Sequence, residues 1–209
     1  RPLGAAHHAS RGDPSTLVLF EPANRALEPW EHSRAVALAM VDETAKFYQQ
    51  EPSLTLKARA PLEESNRANP GDFPVILALG MIHHLAQDHP QARRYCEEAL
   101  DLAPDHEEAL RILAISCYLM GDYQAGIQAM RRFIERNPWH AEMFARYASM
   151  QSAMGDLPGA IASARKGLEL SPTLVPLRID LVRYLEQAGR LEEARAQRQL
   201  AVRIQQLVE

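Results

Sequence analysis

What this chain lacks narrows its chemistry first. There is no CxxC, which removes a zinc ribbon, and no CxxCH, which removes an attached c-type haem. HExxH, GxSxG, a Walker loop and a dinucleotide fingerprint are also missing. No apolar run approaches the ~18–20 residues of a membrane-crossing helix. Aromatic residues make up only 6% of the chain. Positive charge is not in excess: the formal net charge is −4, whereas a general nucleic-acid binder carries a basic stripe. The expectation is a non-catalytic protein with no cofactor, no metal, no nucleic-acid partner and no direct membrane insertion. A soluble compartment suits it, cytoplasm or periplasm alike. The chain opens at Arg1 rather than methionine and is expected to be a processed form or a cut-out domain.

With 46% hydrophobic residues in 209, the chain can bury a core without staples. Its two cysteines, Cys96 and Cys117, are read as free buried thiols. A disulfide between them is the alternative, and it depends on a Cα separation that spacing does not supply.

What the chain has is a beat. Pro70, Pro104, Pro138 and Pro172 fall 34 residues apart, and Gly121, Gly155 and Gly189 keep the same interval. A fixed period of this length marks a stacked-repeat protein. Within one period, Leu110, Leu113, Ala114 and Cys117 lie at i, i+3, i+4 and i+7, one face of an α-helix. Gly121 then supplies a left-handed helix end, and Asp122 is placed to accept from the free N–H groups of the next helix. Pro90 and Pro158 fall in first helical turns, where a missing N–H costs little. Ala92, Gly126, Ala160 and Ala194 are small enough to let two helix backbones approach. Each period-34 proline stops one unit and starts the next, and Asp105 with Glu108 is the expected cap pair after Pro104.

The four units 73–106, 107–140, 141–174 and 175–209 resemble tetratricopeptide repeats. Leu79, Leu113, Tyr147 and Leu181 match the family's seventh position. Gly80, Ala114 and Ala148 match its small eighth position, from which Val182 departs. Gln87 replaces the turn glycine in the first unit. The resemblance covers about two-thirds of the chain. It implies an all-α fold, an α-α superhelix. Before it, residues 1–30 are rich in Gly, Pro, Ala, Ser and His and show no helical period, so an extended, mostly non-helical arm is expected there.

Inside that arm, residues 16–20 form an apolar run, expected to dock on the repeats, to pair with another chain or to cover the end of the array. Arg-Gly-Asp at 11–13 is a short tripeptide of little weight, and His7-His8 is read as solvated. Residues 31–72 are expected to form a helical cap, a degenerate repeat over 39–72. It has one amphipathic helix from Trp30 to Gln50 and a second from Leu54 to Arg67, with Ala58 at the small-residue position. Pro52 and Pro61 stand against an uninterrupted second helix. At the other end, a helix from Leu191 to Leu207 carries Leu200, Ile204 and Leu207 as a stripe, expected to pack down on the fourth repeat or to meet another copy.

The resemblance also implies a function: first helices line a concave face that holds a protein partner. Carried onto this chain, the lining is Leu77, Met81, His84 and Leu85, then Arg111, Ile115, Tyr118 and Leu119. It continues with Glu142, Arg146, Ser149 and Ser152, and ends with Ile179, Asp180, Arg183 and Glu186. The groove starts apolar and ends charged, which suits a peptide segment with hydrophobic anchors. Self-association is the second partner reading. The carboxylate clamp of chaperone-binding members is not supported, because Leu77 and Met81 occupy its first-repeat positions and Glu142 replaces a lysine beside Arg146. A second function reading is an accessory or assembly domain at the C-terminus of a larger bacterial protein. An arm leading into a cap and then repeats is similar to that part of some multihaem cytochromes c.

Overall fold

A computed structural model describes residues 52–208, together with helical positions Glu31, Arg34–Val36, Leu38 and Ala39. The arm over 1–30, with its 16–20 run, its tripeptide and its paired histidines, lies outside the described residues. So do most of the helix expected from Trp30 to Gln50 and the side chains of 52–56. Among the described residues every regular element is helical: α1 (Pro52–Ala68), α2 (Phe73–Leu85), α3 (His89–Leu102), α4 (Glu107–Met120), α5 (Tyr123–Arg136), α6 (Ala141–Ala153), α7 (Leu157–Leu170), α8 (Val175–Gln187) and α9 (Leu191–Val208). Helices α2, α4, α6 and α8 begin at 73, 107, 141 and 175, which is the period of the prolines.

Turn chemistry sets these boundaries. Gly121 has φ 77°, Gly155 82° and Gly189 73°, the left-handed region where a side chain is strained. Asp88, Asp122 and Asp156 then cap α3, α5 and α7. Their carboxylates accept from the N–H groups of Gln91, Ala125 and Gly159 at 3.4, 3.3 and 2.9 Å. The cap of α4 departs from expectation. His106, not Asp105, is the N-cap, and its Nδ1 accepts from Ala109 N–H at 3.4 Å. Asp105 instead receives Arg132 and Arg136 from α5, and Glu108 pairs with Arg111. A carboxylate one residue too early for the cap is better used by two nearby cations.

Helix α1 runs through Pro61 without a break. The proline forfeits its bond to the Lys57 carbonyl, but Lys57 is exposed and water can serve that group. Ala58 and Leu62, both fully buried, hold the helix on the core.

Each helix packs on its sequence neighbour, so the chain folds as a row of antiparallel pairs. Beyond that, α2 approaches α4, α4 approaches α6 and α6 approaches α8 backbone to backbone, whereas the backbones of α3, α5, α7 and α9 stay farther apart and Arg165 of α7 reaches Glu193 of α9 only through its side chain. The first row is therefore the tighter one. Stacking pairs with one row closer than the other bends the array and puts the closer row on the inside of the curve. The result is an α-α superhelix with α2, α4, α6 and α8 facing inward.

The C-terminal helix corrects one expectation. Ala194 and Ala201 are buried, Gln197 and Ile204 half-buried, and Leu200 and Leu207 are exposed, Leu207 at 85%. The packed row is Ala194–Gln197–Ala201–Ile204, so Leu200 and Leu207 sit on a different face of the helix and do not seal the fourth repeat. At the other end, Arg34 pairs with Asp72, and Leu38 packs against the core begun by Ala58 and Leu62.

Candidate functional site

The inner row carries the side chains expected to line a groove, and they fall into three groups. Leu77, Met81 and Leu85 on α2 are half-buried, and the first two lean on the core. Ile115 on α4 is only 6% exposed and belongs to that core, so the structure removes it from the lining. Its neighbours differ: Leu119 is 51% exposed and Tyr118 half-buried. Ile179 on α8, at 57%, is the other large apolar side chain open on this face.

The polar residues are joined across helices. His84 Nδ1 shares a hydrogen bond with Ser116 Oγ at 3.2 Å, and its ring lies 5.7 Å from that of His89. Burial, then Arg111 and His89, push the His84 imidazole down to about 4, so it is neutral near pH 7. Tyr118 Oη lies 3.4 Å from Ser149 Oγ, a bond from α4 to α6. The Arg146 guanidinium lies 5.8 Å from the Tyr118 ring centroid.

Charge compensation separates the three groove arginines. Arg111 grips Glu108 with Nε at 2.8 Å and Nη2 at 2.5 Å, and this bond raises its pKa. Arg183 pairs with Asp180 at 2.7 Å. Arg146 has no carboxylate within ion-pair distance among the described residues, and its Nε is buried without a hydrogen-bond partner. Glu186 is tied to Arg198 of α9, and Glu142 is exposed near the start of α6. Ser152 is half-buried. The cluster that the fold assembles is therefore Tyr118, Arg146 and Ser149 at mid-groove, flanked by the apolar α2 side chains. Arg183 and Glu186 are spent on separate pairs.

Sequence reasoning missed Ser116, and it read Glu108 as a cap partner of Asp105 rather than as the partner of Arg111. Ser116 is fully buried between helices, and only the packing of α2 on α4 shows that it meets His84. Glu108 could have been found, since it stands three residues before Arg111 on one helix face.

Among the described residues no group of histidine, cysteine and carboxylate side chains is arranged to hold a metal. No described helix is long and apolar enough to cross a membrane. Cys96 and Cys117 are free and buried, and burial pushes their thiols up to about 12 and about 11.

A curved stack of helix pairs with an open inner row is the architecture of a repeat scaffold for protein–protein interaction. The tetratricopeptide repeat profile matches residues 77–138 and 113–175, and this stretch consists of tetratricopeptide repeats. The human tetratricopeptide repeat protein 7B is 27% identical over 167 residues, 79% of this chain. The match spans only 19% of that protein's length. Among solved structures, MamA of AMB-1 superposes with TM-score 0.76 at 20% identity, covering 85% of this chain and 92% of that one. MamA of MSR-1 superposes with TM-score 0.75 at 19% identity, covering 86% and 98%. At this identity the likeness is one of fold.

Proposed function

We propose that the concave face binds a peptide segment of a protein partner. Apolar side chains of the segment meet Leu77, Met81, Leu85, Tyr118 and Leu119, and a carboxylate meets Arg146. The observation that carries this reading is the uncompensated Arg146 charge beside Tyr118, next to half-buried apolar side chains. A half-desolvated cation without a counter-ion gains from an incoming carboxylate, because charge-assisted bonds are strong where water is partly excluded. The apolar flank supplies affinity and the charge supplies register. In this reading 31–72 caps the first end of the array, and 73–106, 107–140, 141–174 and 175–209 are its four repeats.

The test is a displayed library of random 12-residue peptides selected on the full chain. Enriched peptides should carry two or more apolar residues and a carboxylate. Arg146→Glu should weaken them about tenfold or more, roughly 1.4 kcal/mol, and Leu119→Asp should do the same. Enriched peptides indifferent to both substitutions, or lacking any common pattern, would show that the inner face is not the binding surface.

A further inference from the structure

The open charge of Arg146 shares its surroundings with a titratable ring. His84 of α2 is half-buried, and its Nδ1 has a neutral hydrogen-bond partner, the Ser116 hydroxyl of α4, at 3.2 Å. No carboxylate stands within ion-pair distance of the ring among the described residues, whereas its neighbour His83 has Asp88 at 3.1 Å. The charged and titratable groups that face His84 come from three other helices: His89 of α3, Glu108 and Arg111 of α4, and Arg146 of α6. Glu108 is engaged by Arg111 at 2.8 Å, so that pair is close to neutral. Arg146 is what remains as the net charge of the cluster.

We propose that a partner's carboxylate arriving at Arg146 drives protonation of His84, so that the inner face takes its acidic peptide together with a proton. The inference rests on the groove reading above and deepens it, by naming a second residue that reads the ligand's charge and the condition that regulates binding.

The geometry places the two groups in one neighbourhood. His84 and Tyr118 hold the same place in successive inner helices, 34 residues apart. Arg146 comes from the third inner helix and lies 5.8 Å from the Tyr118 ring centroid. A carboxylate on Arg146 thus stands about one helix spacing from α2, roughly 8–10 Å. That is within the range at which unit charges interact where water is partly excluded.

An imidazolium in the empty site has cations for neighbours, a neutral hydrogen-bond partner and restricted access to water. Burial comes first, then the charges of Arg111 and His89, with Arg146 adding to them, and together they hold the ring down at about 4. An incoming carboxylate offsets the Arg146 charge and gives the ring a nearby anion. The charged form is then favoured, and the ring moves back toward its ordinary 6.5. A group that holds its proton more tightly in the complex takes one up on binding. Affinity therefore rises as pH falls from 6.5 toward 4. Glutamate carboxylates, with an ordinary value of about 4.3, stay ionised through most of that window. A rise of the ring over most of the way to its ordinary value makes binding about fourfold tighter at pH 5.5 than at pH 7.5.

The experiment uses the full chain and the displayed library of random 12-residue peptides, selected in parallel at pH 5.5 and pH 7.5. The tightest histidine-free peptide that needs Arg146 is synthesised with blocked termini and titrated by calorimetry at both pH values. It should bind about fourfold tighter at pH 5.5. In His84→Gln the ratio should fall to about one, and in His89→Gln it should persist. Circular dichroism confirms that each variant is folded. On the natural chain, the NMR midpoint of His84 should rise from near 4 toward 6.5 when the peptide saturates the site, a readout that needs no variant. Equal affinity at the two pH values, a ratio that survives His84→Gln, or a His84 midpoint unmoved by the peptide overturns the proposal. The two readings fail differently. Peptides that need Arg146 but bind equally at both pH values would sink the proton coupling and leave the groove standing. Selections that yield no Arg146-dependent peptide at either pH would sink both.

Discussion

Gln87 holds the backbone conformation that Gly121 holds one repeat later: φ is 60° at the first and 77° at the second. Both close a first helix of a pair, and the Asp88 and Asp122 that follow cap the next one. A left-handed turn is cheap for glycine and costs other residues about 1–2 kcal/mol. The repeat tolerates the cost at Gln87 because His83 Nδ1 donates to Asp88 at 3.1 Å and holds the turn from behind. Gln87→Gly should therefore raise stability by about 0.5–1 kcal/mol, with part of the strain relief offset by the entropy of glycine in the unfolded chain. Gly121→Ala should lower it by about 1 kcal/mol, since its Cβ would meet open space and only the backbone is strained. Urea unfolding curves of the two variants decide both signs.

Gly167 behaves in the opposite way. It lies inside α7, where alanine has the better helix propensity by about 1 kcal/mol. A Cβ there would sit 2.6 Å from Leu177 Cδ2 and 3.1 Å from the Ala141 carbonyl oxygen. The backbone atom cannot yield cheaply, so Gly167→Ala should destabilise by a net ~1–2 kcal/mol despite its propensity. A rise in thermal midpoint would contradict this close approach of α7 to α6 and α8.

His84 should make stability depend on acidity. Its folded value, about 4, lies below its ordinary 6.5 because burial and Arg111 disfavour the cation. Between those values the unfolded chain binds the proton and the folded chain does not. The contribution is complete above pH 6.5, is lost as pH falls toward 4, and then levels off. After solvent screening the loss is on the order of 1–2 kcal/mol. The groups facing this ring are Arg111, His89, Glu108 and Arg146. His84→Gln should flatten the stability profile over that window. An NMR titration of His84 with a midpoint near 6.5 would contradict the buried neutral ring.

Arg178 occupies a core position that Ile76, Leu110 and Phe144 fill in the earlier repeats. It is 6% exposed, and burial lowers its pKa. Its Nη1 donates to Gln197 at 2.6 Å and its Nη2 to the Pro172 carbonyl at 2.5 Å, while Nε finds no partner. A buried cation held only by neutral acceptors is a weak stabiliser. Arg178→Met should change stability by less than about 1 kcal/mol or raise it. Arg178→Ala should cost about 2–4 kcal/mol through the cavity between α8 and α9. Equal, large losses in both would mean that the two hydrogen bonds matter more than the packed volume.

Much of the fold was legible because its determinants are local. The 34-residue interval, the glycines at helix ends and the aspartates after them act within one helix–turn–helix unit, so their spacing carries them. The misreadings came where two signals compete for one side chain. Asp105 looked like a cap, but two arginines of α5 lie within reach and His106 serves the helix end. Leu200, Ile204 and Leu207 looked like one stripe, but the α8 surface selects the row through Ala194 and Ala201. Ile115 was carried to the groove by its repeat position, yet the close approach of α4 to its neighbours in the inner row buries it.

By itself, then, the order of residues determined that helices form, where each one stops and that the units are alike enough to stack. Those outcomes depend on backbone conformations and on contacts a few residues apart. Only the assembled array decided which row turns inward, which arginine keeps its charge uncompensated and which apolar side chains stay open. Those properties belong to neighbours about 30 residues away in the chain and one helix away in space, where the spacing of residue types is silent and the geometry of packing is not.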